Sequence, residues 1–329
     1  MTDHAVRWGL IGPGNIARQF VKGLTAVPGA SLVAVASRSR ERAAAFAAEH
    51  GGGRAYVSPA ELAADPGVDA VYVATPHPQH HATVRACLEA GKAVLCEKPI
   101  TVNADELEDL IAVAHNRRAF LMEAMWTRFL PAMAKTRAWL AEGAIGEPRM
   151  VTVDFGFRCG WDPRSRLLDP QQAGGSLLDV GVYVLALASM VLGPQPERVA
   201  GFAHIGDSGV DEQAAMILGY PGGRLASLTC AVRTNSPQIA RIDGTDGSIT
   251  VPDFWRATRT TLRGAAGRSE TAEFPHRSNG YEYQAIEVAR CLAAGLTESP
   301  VLPLTESLAI QRTMDGLRRQ WGLRYPFES

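Results

Sequence analysis

The hydrophobic positions of the first 125 residues follow two periods. Short apolar runs at Val6–Ile11, Ser31–Ala36, Ala70–Ala74, Ala93–Cys96 and Ala119–Glu123 predict strands. Between them, Asn15–Val27 places Ile16, Phe20, Val21 and Leu24 on one helical face. Arg40–His50, His80–Ala90 (ended by Gly91) and Ala104–Arg117 also predict helices. Strands alternating with helices in this way build a parallel sheet with helices on both faces.

After about Ala124 the pattern changes. Pro131–Glu142 predicts a helix ending near Gly143, and Arg149–Phe157 alternates as a half-buried strand does. Pro163–Gln172 is polar and turn-rich, and a helix follows from about Gly175 to Leu192. Arg198–His204, Ala214–Tyr220, Arg224–Val232, Gln238–Gly244 and Ser248–Val251 then predict strands with no helix between them. Such a run argues for a large, mostly antiparallel second sheet. Tyr281–Ala294 and Leu304–Trp321 are the last helices. The expected fold class is α/β, with a doubly wound parallel domain over 1–124 and a second α/β domain over 125–329.

Composition narrows the function classes. A chain of 329 residues suits two domains at ~100–200 residues each. Lys+Arg is 33 against Asp+Glu 34, a net charge of −1 with no basic block. Nucleic-acid binding and electrostatic membrane attachment are therefore not expected. The longest uncharged run, Val180–Pro196, carries Gly181, Gly193 and two prolines. It falls short of a ~20-residue span, so a buried helix is expected rather than a membrane segment. Five scattered cysteines with no CxxC pair disfavour a disulfide framework or a zinc site. They suit a reducing, cytoplasmic compartment, and MTDHAVRWGLIGPG lacks the pattern of a secretory signal.

Several segments could carry chemistry. Gly12-Pro13-Gly14-Asn15-Ile16-Ala17 follows a strand, opens a helix and fits G-x-G-x-x-A. The first glycine permits the tight turn, the second lets a pyrophosphate approach, and the small third residue lets helix and strand pack. The helix N-terminus adds N–H donors and a positive dipole end. At the end of the second strand, where an NAD site usually has a carboxylate, stand Ser37 and Arg38. Arg38 can grip the 2′-phosphate of NADP through its fork of donors, with Ser37 assisting. NADP is thus the expected cofactor, with NAD the alternative.

The remaining candidates sit at strand ends and on one helix. Lysine is rare here, four against 29 arginines (33 − 4), and Lys98 follows Glu97 at the carboxyl end of a parallel strand. That edge is where ligands bind in such sheets. Thr75, Pro76 and His80 lie at another strand end, beside the expected cofactor. His77, His80 and His81 cluster there, but without acidic or Cys ligands at a familiar spacing, so no metal is expected. Asp179 and Tyr183, four apart, share one face of an otherwise apolar helix and need a partner or a task. On residue type alone, such a pair in a core helix is more often structural than catalytic.

GLIGPGNIA, ATPHPQH, AGKAVLCEKP, FLMEAMWTRFLP and GGSLLDVGVY, in this order, resemble the Gfo/Idh/MocA family of NAD(P)-dependent oxidoreductases over nearly the whole chain. The HPQH, LCEKP and MEAMWTRF pieces look like the dimeric dihydrodiol dehydrogenase branch and related NADP-dependent sugar dehydrogenases, including D-xylose 1-dehydrogenases. The resemblance implies a Rossmann domain followed by an α/β domain whose large open sheet often forms homodimers or higher oligomers. Many members have His where this chain has Tyr183, and Tyr marks the dihydrodiol and glucose–fructose branches. It further implies Trp126 and Arg128 at the cofactor, and Lys98, Asp179 and Tyr183 as catalytic residues.

The implied reaction is hydride transfer between nicotinamide and a hydroxyl-bearing carbon of a sugar, polyol or trans-dihydrodiol. Tyr183 would be the acid/base, Lys98 would favour its phenolate, and Asp179 would orient Lys98 or the substrate. Arg158, Trp161 and Arg166 would line the substrate pocket. The family also includes a non-catalytic repressor that binds dinucleotide as a signal. Retention of Lys98, Asp179 and Tyr183 argues against that role here.

Overall fold

The structure is a computed structural model that describes residues 5–51 and 53–328. Its contacts divide into two units. One comprises the chain up to Trp126 together with His276–Thr305, and the other comprises Thr127–Pro275 and the chain from Glu306.

Six parallel strands form the sheet of the first unit: β1 (Val6–Ile11), β2 (Ala30–Ala36), β3 (Arg54–Tyr56), β4 (Ala70–Val73), β5 (Ala93–Glu97) and β6 (Leu121–Ala124). The helices are α1 (Asn15–Leu24), α2 (Arg40–Glu49), α3 (Pro59–Ala63), α4 (His80–Glu89) and α5 (Ala104–Arg117). The strand order is β3-β2-β1-β4-β5-β6. It reverses direction between β1 and β4, the switch point at which such sheets bind ligands outside their carboxyl ends. Every residue of β4, β5 and β6 is buried, as strands covered on both faces require. Phe20 of α1 stacks on Tyr72 of β4, with ring centroids 3.8 Å apart, and meets Trp8 edge-on at 5.1 Å.

The segment 276–305 corrects the domain reading, which put it in the second domain. Its helix Glu282–Ala293 crosses α1 at Gly23, where an added Cβ would lie 2.8 Å from the Glu282 nitrogen. The Ser278 hydroxyl donates to the Lys22 carbonyl, the Asn279 amide donates to the Gln19 carbonyl, and Leu121 N–H donates to Thr297. The periodicity showed a helix but could not name the surface it packs on.

An eight-stranded sheet forms the second unit: β7 (Pro148–Gly156), β8 (Arg198–Ile205), β9 (Asp211–Tyr220), β10 (Arg224–Ala231), β11 (Ala240–Gly244), β12 (Ser248–Val251), β13 (Arg259–Arg263) and β14 (Ser269–Glu273). Its order is β14-β13-β12-β11-β7-β10-β9-β8, antiparallel except where β7 pairs with β10. After α6 (Pro131–Ala141), the predicted helix from Gly175 is not regular. It opens as a π-helical segment at Leu177–Gly181 and continues as α7 (Val182–Leu192), which packs on β7 and β10. Over Pro170–Leu192 the chain is long and apolar enough to span a membrane by composition, with mean hydropathy 1.9. That stretch is 89% buried inside the protein, so it is a core helix.

Candidate active site

The Gly12 turn has the shape its sequence requires. Gly12 has φ +89°, and a Cβ there would lie 2.7 Å from the Ala74 carbonyl oxygen, so only glycine fits without strain. Around Gly14 the space is open, the nearest atom to an added Cβ being the Gly12 carbonyl oxygen at 4.0 Å. Gly14 caps α1 with no side chain, whereas Ser39, Ser58 and Asn103 cap α2, α3 and α5. Asn15 and Ile16 open α1 beside this free space, and its first N–H groups face it uncapped. This cradle fits a pyrophosphate. At the end of β2, Ser37 is half-buried and donates its backbone N–H to the Tyr56 carbonyl. Arg38 is exposed, and among the described residues no side chain pairs with it.

The ends of β4 and β5 are tied together by one imidazole. His80 is fully buried, with Nδ1 2.9 Å from the Pro99 carbonyl and Nε2 2.8 Å from the Thr75 carbonyl. Burial holds its pKa below the ordinary value, while the two carbonyls pull the other way. The ring thereby fixes Thr75-Pro76 against the Lys98-Pro99 segment. Above it the Thr75 hydroxyl is buried without a protein partner among the described residues, an orphaned polar atom at the ligand edge of the sheet. Glu97 is buried, and it accepts from the Tyr72 hydroxyl and, at 3.3 Å, from Lys98 N–H. Trp126 is buried and stacks on Tyr281 with ring centroids 4.4 Å apart. Burial, and then the charge of Glu97, raises the Tyr281 phenol. Tyr281 had no sequence signal, because it reaches this edge only through the crossing of its helix over α1.

In the second unit, Gly174-Gly175-Ser176 feeds the π-helical turn that holds Asp179, with Tyr183 in the first turn of α7. Asp179 is 5% exposed and accepts from Arg166 at 2.9 Å. The structure thus brings together a predicted catalytic and a predicted substrate-binding residue, through an ion pair that the sequence did not indicate. Tyr183 is 7% exposed and meets Phe155 edge-on at 5.3 Å. Phe155 in turn stacks on Trp255, whose indole N–H donates to Gln238 at 2.8 Å. Phe155 lies in a strand whose alternation is visible and Gln238 opens another predicted strand, whereas Trp255 has no local signal. Trp161 is 49% exposed, with the Arg233 guanidinium 5.5 Å from its ring centre. Arg158 donates its backbone N–H to Asn235.

Arg128, expected at the cofactor, has its side chain buried within the second unit. It pairs with Glu306 and donates to the Ala186 carbonyl at 2.8 Å, tying α7 to the helix Leu304–Trp321. A guanidinium buried in an ion pair is held by structure, since removing either partner would strand the other charge.

Comparison with known proteins agrees with this geometry. The Gfo/Idh/MocA model described as an oxidoreductase family with an NAD-binding Rossmann fold matches residues 6–125, and the family's C-terminal domain model matches 133–250. The chain is 41% identical to mouse trans-1,2-dihydrobenzene-1,2-diol dehydrogenase over 335 residues, and 39% identical to the human enzyme of that name over 331. Each match covers 98% of both chains. Among solved structures, a 3-ketoreductase from Actinomadura kijaniata in complex with NADP and TDP-benzene superimposes with a TM-score of 0.84 at 28% identity, covering 96% of this chain and 97% of that one. An aldose-aldose oxidoreductase from Caulobacter crescentus complexed with glycerol gives 0.87 at 25%, with the same coverage. The chain belongs to the Gfo/Idh/MocA family and is a nicotinamide-dependent oxidoreductase with a dinucleotide-binding Rossmann domain.

Proposed function

We propose that this protein transfers hydride between NADP and a hydroxyl-bearing carbon of a trans-dihydrodiol or a sugar. The observation that carries the reading is Tyr183, a nearly buried phenol on an apolar helix, with Asp179 one turn before it. The full-length likeness to dihydrodiol dehydrogenases supports the substrate class.

When bound, the nicotinamide supplies the hydride chemistry. The chain's own residues hold the dinucleotide and move the proton. Gly12, Gly14 and the first N–H groups of α1 hold the phosphates, and Arg38 with Ser37 holds a 2′-phosphate. Thr75, Pro76, Glu97 and Lys98 line the carboxyl edge of the sheet, and Trp126 supports it through Tyr281. Tyr183 takes the hydroxyl proton on oxidation and returns it on reduction. A free tyrosine has a pKa of ~10, too high for an efficient base at neutral pH. Lys98 supplies the positive charge that favours the phenolate and donates to the substrate oxygen. Asp179 holds Arg166 by the ion pair described above, and Arg166 with Arg158 and Trp161 contacts the substrate hydroxyls. The test is a panel of trans-dihydrodiols and aldoses with NADP and with NAD. NADP reduction with at least one class is expected, and its absence across the panel would count against the proposal.

We also propose a homodimer or larger homo-oligomer, built on the outward face of the second sheet. Met150, Leu225, Ile217 and Phe202 all point to that face, and Phe202 is 86% exposed. A hollow of about 550 Å³ lies beside Phe202 and His204. An apolar sheet face of this kind is covered in most stable proteins, and a self-complementary patch gives a two-fold dimer. Light scattering at micromolar concentration should give at least twice the 35.2 kDa chain mass, and a single-chain particle would contradict it. The five free thiols suit a cytoplasmic setting.

A further inference from the structure

The carboxyl group of Asp211 lies beneath the π-helical segment and is fully buried. One oxygen, Oδ2, accepts from the Ser176 hydroxyl at 2.7 Å and from Leu177 N–H at 2.6 Å. Leu177 N–H belongs to the first turn of the helix and has no partner within it. The other oxygen, Oδ1, has no partner among the described residues and lies against Gly175. A Cβ at Gly175 would sit 2.1 Å from it, and Gly175 has φ +118°, so glycine is needed there twice over.

Two further groups grip the same turn. The Tyr325 hydroxyl, buried near the end of the chain, donates to the Gly174 carbonyl at 2.8 Å. Cys230 Sγ lies 3.4 Å from the Ser176 hydroxyl, and 3.2 Å from where a Cβ on Gly181 would be. One sulfur therefore packs on both ends of the π-helical segment. Burial pushes the Asp211 carboxyl up to about 6, while hydrogen bonding, first from the Ser176 hydroxyl and then from backbone N–H groups, pulls it down.

A π-helical turn is wider than an α-helical one and is found mostly as single turns at functional sites. Its persistence here requires an outside hold on its first residues. We propose that Asp211 is a positioning residue for Asp179 and Tyr183, fixing through Ser176 and Leu177 the π-helical turn that carries Asp179 and leads directly into the α-helical turn that carries Tyr183. The inference rests on the reading of Tyr183 as the proton-transfer group. Asp211 itself stays below the turn, in the core of the second unit.

The test compares Asp211→Ala and Asp211→Asn with the wild type. Three readouts are used: turnover per NADP-binding site, NADP dissociation constant, and backbone hydrogen exchange. Asp211→Ala should lower turnover per site by roughly 10- to 100-fold, because a misplacement near 1 Å has that scale of effect. NADP affinity should stay within about twofold, since the phosphate and ribose elements lie in the other unit. Exchange should quicken over 176–183 and stay unchanged over 80–100. Asp211→Asn keeps an acceptor of the same shape and should recover most of the turnover. A buried group that merely stabilises the unit would lower the melting temperature yet leave turnover per cofactor site unchanged, and that result would overturn the proposal.

If Asp211→Ala does not fold, Ser176→Ala carries the test, because it removes one donor and leaves the carboxyl in place. Faster exchange over 177–181 with slower turnover supports the proposal, and no change in either overturns it. If the wild type turns over none of the substrates, exchange still decides for or against Asp211. In that case it is the oxidoreductase reading of Tyr183 that has failed.

Discussion

Replacing Tyr183 with Phe is expected to lower turnover by roughly 10²–10⁴ while NADP affinity stays nearly unchanged. The substitution keeps the ring, and so keeps the edge contact with Phe155 at 5.3 Å that seats it in the apolar helix. It removes only the phenolic oxygen proposed to take the substrate proton. The elements that would hold the phosphates and ribose, Gly12, Gly14 and Arg38, all lie in the first unit, so binding has no reason to change. Turnover and cofactor dissociation constant, measured over pH 6–10, check both halves. Near-wild-type turnover would make the phenol a packing residue. His80 could not then take over, because its two ring nitrogens face the Pro99 and Thr75 carbonyls and its side chain is fully buried. The search would move to Lys98.

Arg38→Asp is expected to reverse the cofactor preference. Losing a charge-assisted Arg–phosphate contact costs about 1.5–3 kcal/mol, or roughly 10- to 150-fold in NADP affinity. The introduced carboxylate would repel the 2′-phosphate and could accept from the ribose hydroxyl of NAD, as carboxylates at this position do. The site is suited to a clean test because Arg38 is exposed, and its replacement breaks no ion pair among the described residues. Fluorescence titration of both cofactors against wild type and variant measures the change. Tighter binding of NAD than NADP by the wild type would contradict the assignment.

The elements most legible in the chain were those whose packing is repetitive. The apolar runs of β1, β2, β4 and β5 stood out because a parallel sheet buries both faces of each strand. Not legible were β3, which has three residues, β14, whose sequence SETAE is mostly polar because it ends the sheet, and β13, whose RTTLR buries only Thr260 and Leu262. It gave Gly175–Leu192 as one helix, since side-chain periodicity does not distinguish a π-helical turn from an α-helical one.

The site was legible where backbone geometry dictates residue type. Gly12 was readable because a positive φ beside the Ala74 carbonyl admits glycine alone. Partners contributed from far along the chain were not: Tyr281 beside Glu97, Arg166 on Asp179, Glu306 on Arg128, and Asp211 under Ser176. Each joins residues whose sequence separation carries no period. Arg128 in particular lies two residues from Trp126 in the chain yet pairs with a residue 178 positions away.

The central claim is that hydride passes between a substrate carbon and the nicotinamide on this protein. It is tested most directly with the best substrate of the panel, deuterated at its hydroxyl-bearing carbon, followed by mass spectrometry of the reduced cofactor. The account predicts one deuterium in each NADPH formed by the wild type, and formation of labelled cofactor slowed by roughly 10²–10⁴ in Tyr183→Phe. NADP that binds but acquires no deuterium would contradict it, and would leave a protein that holds the dinucleotide without using it.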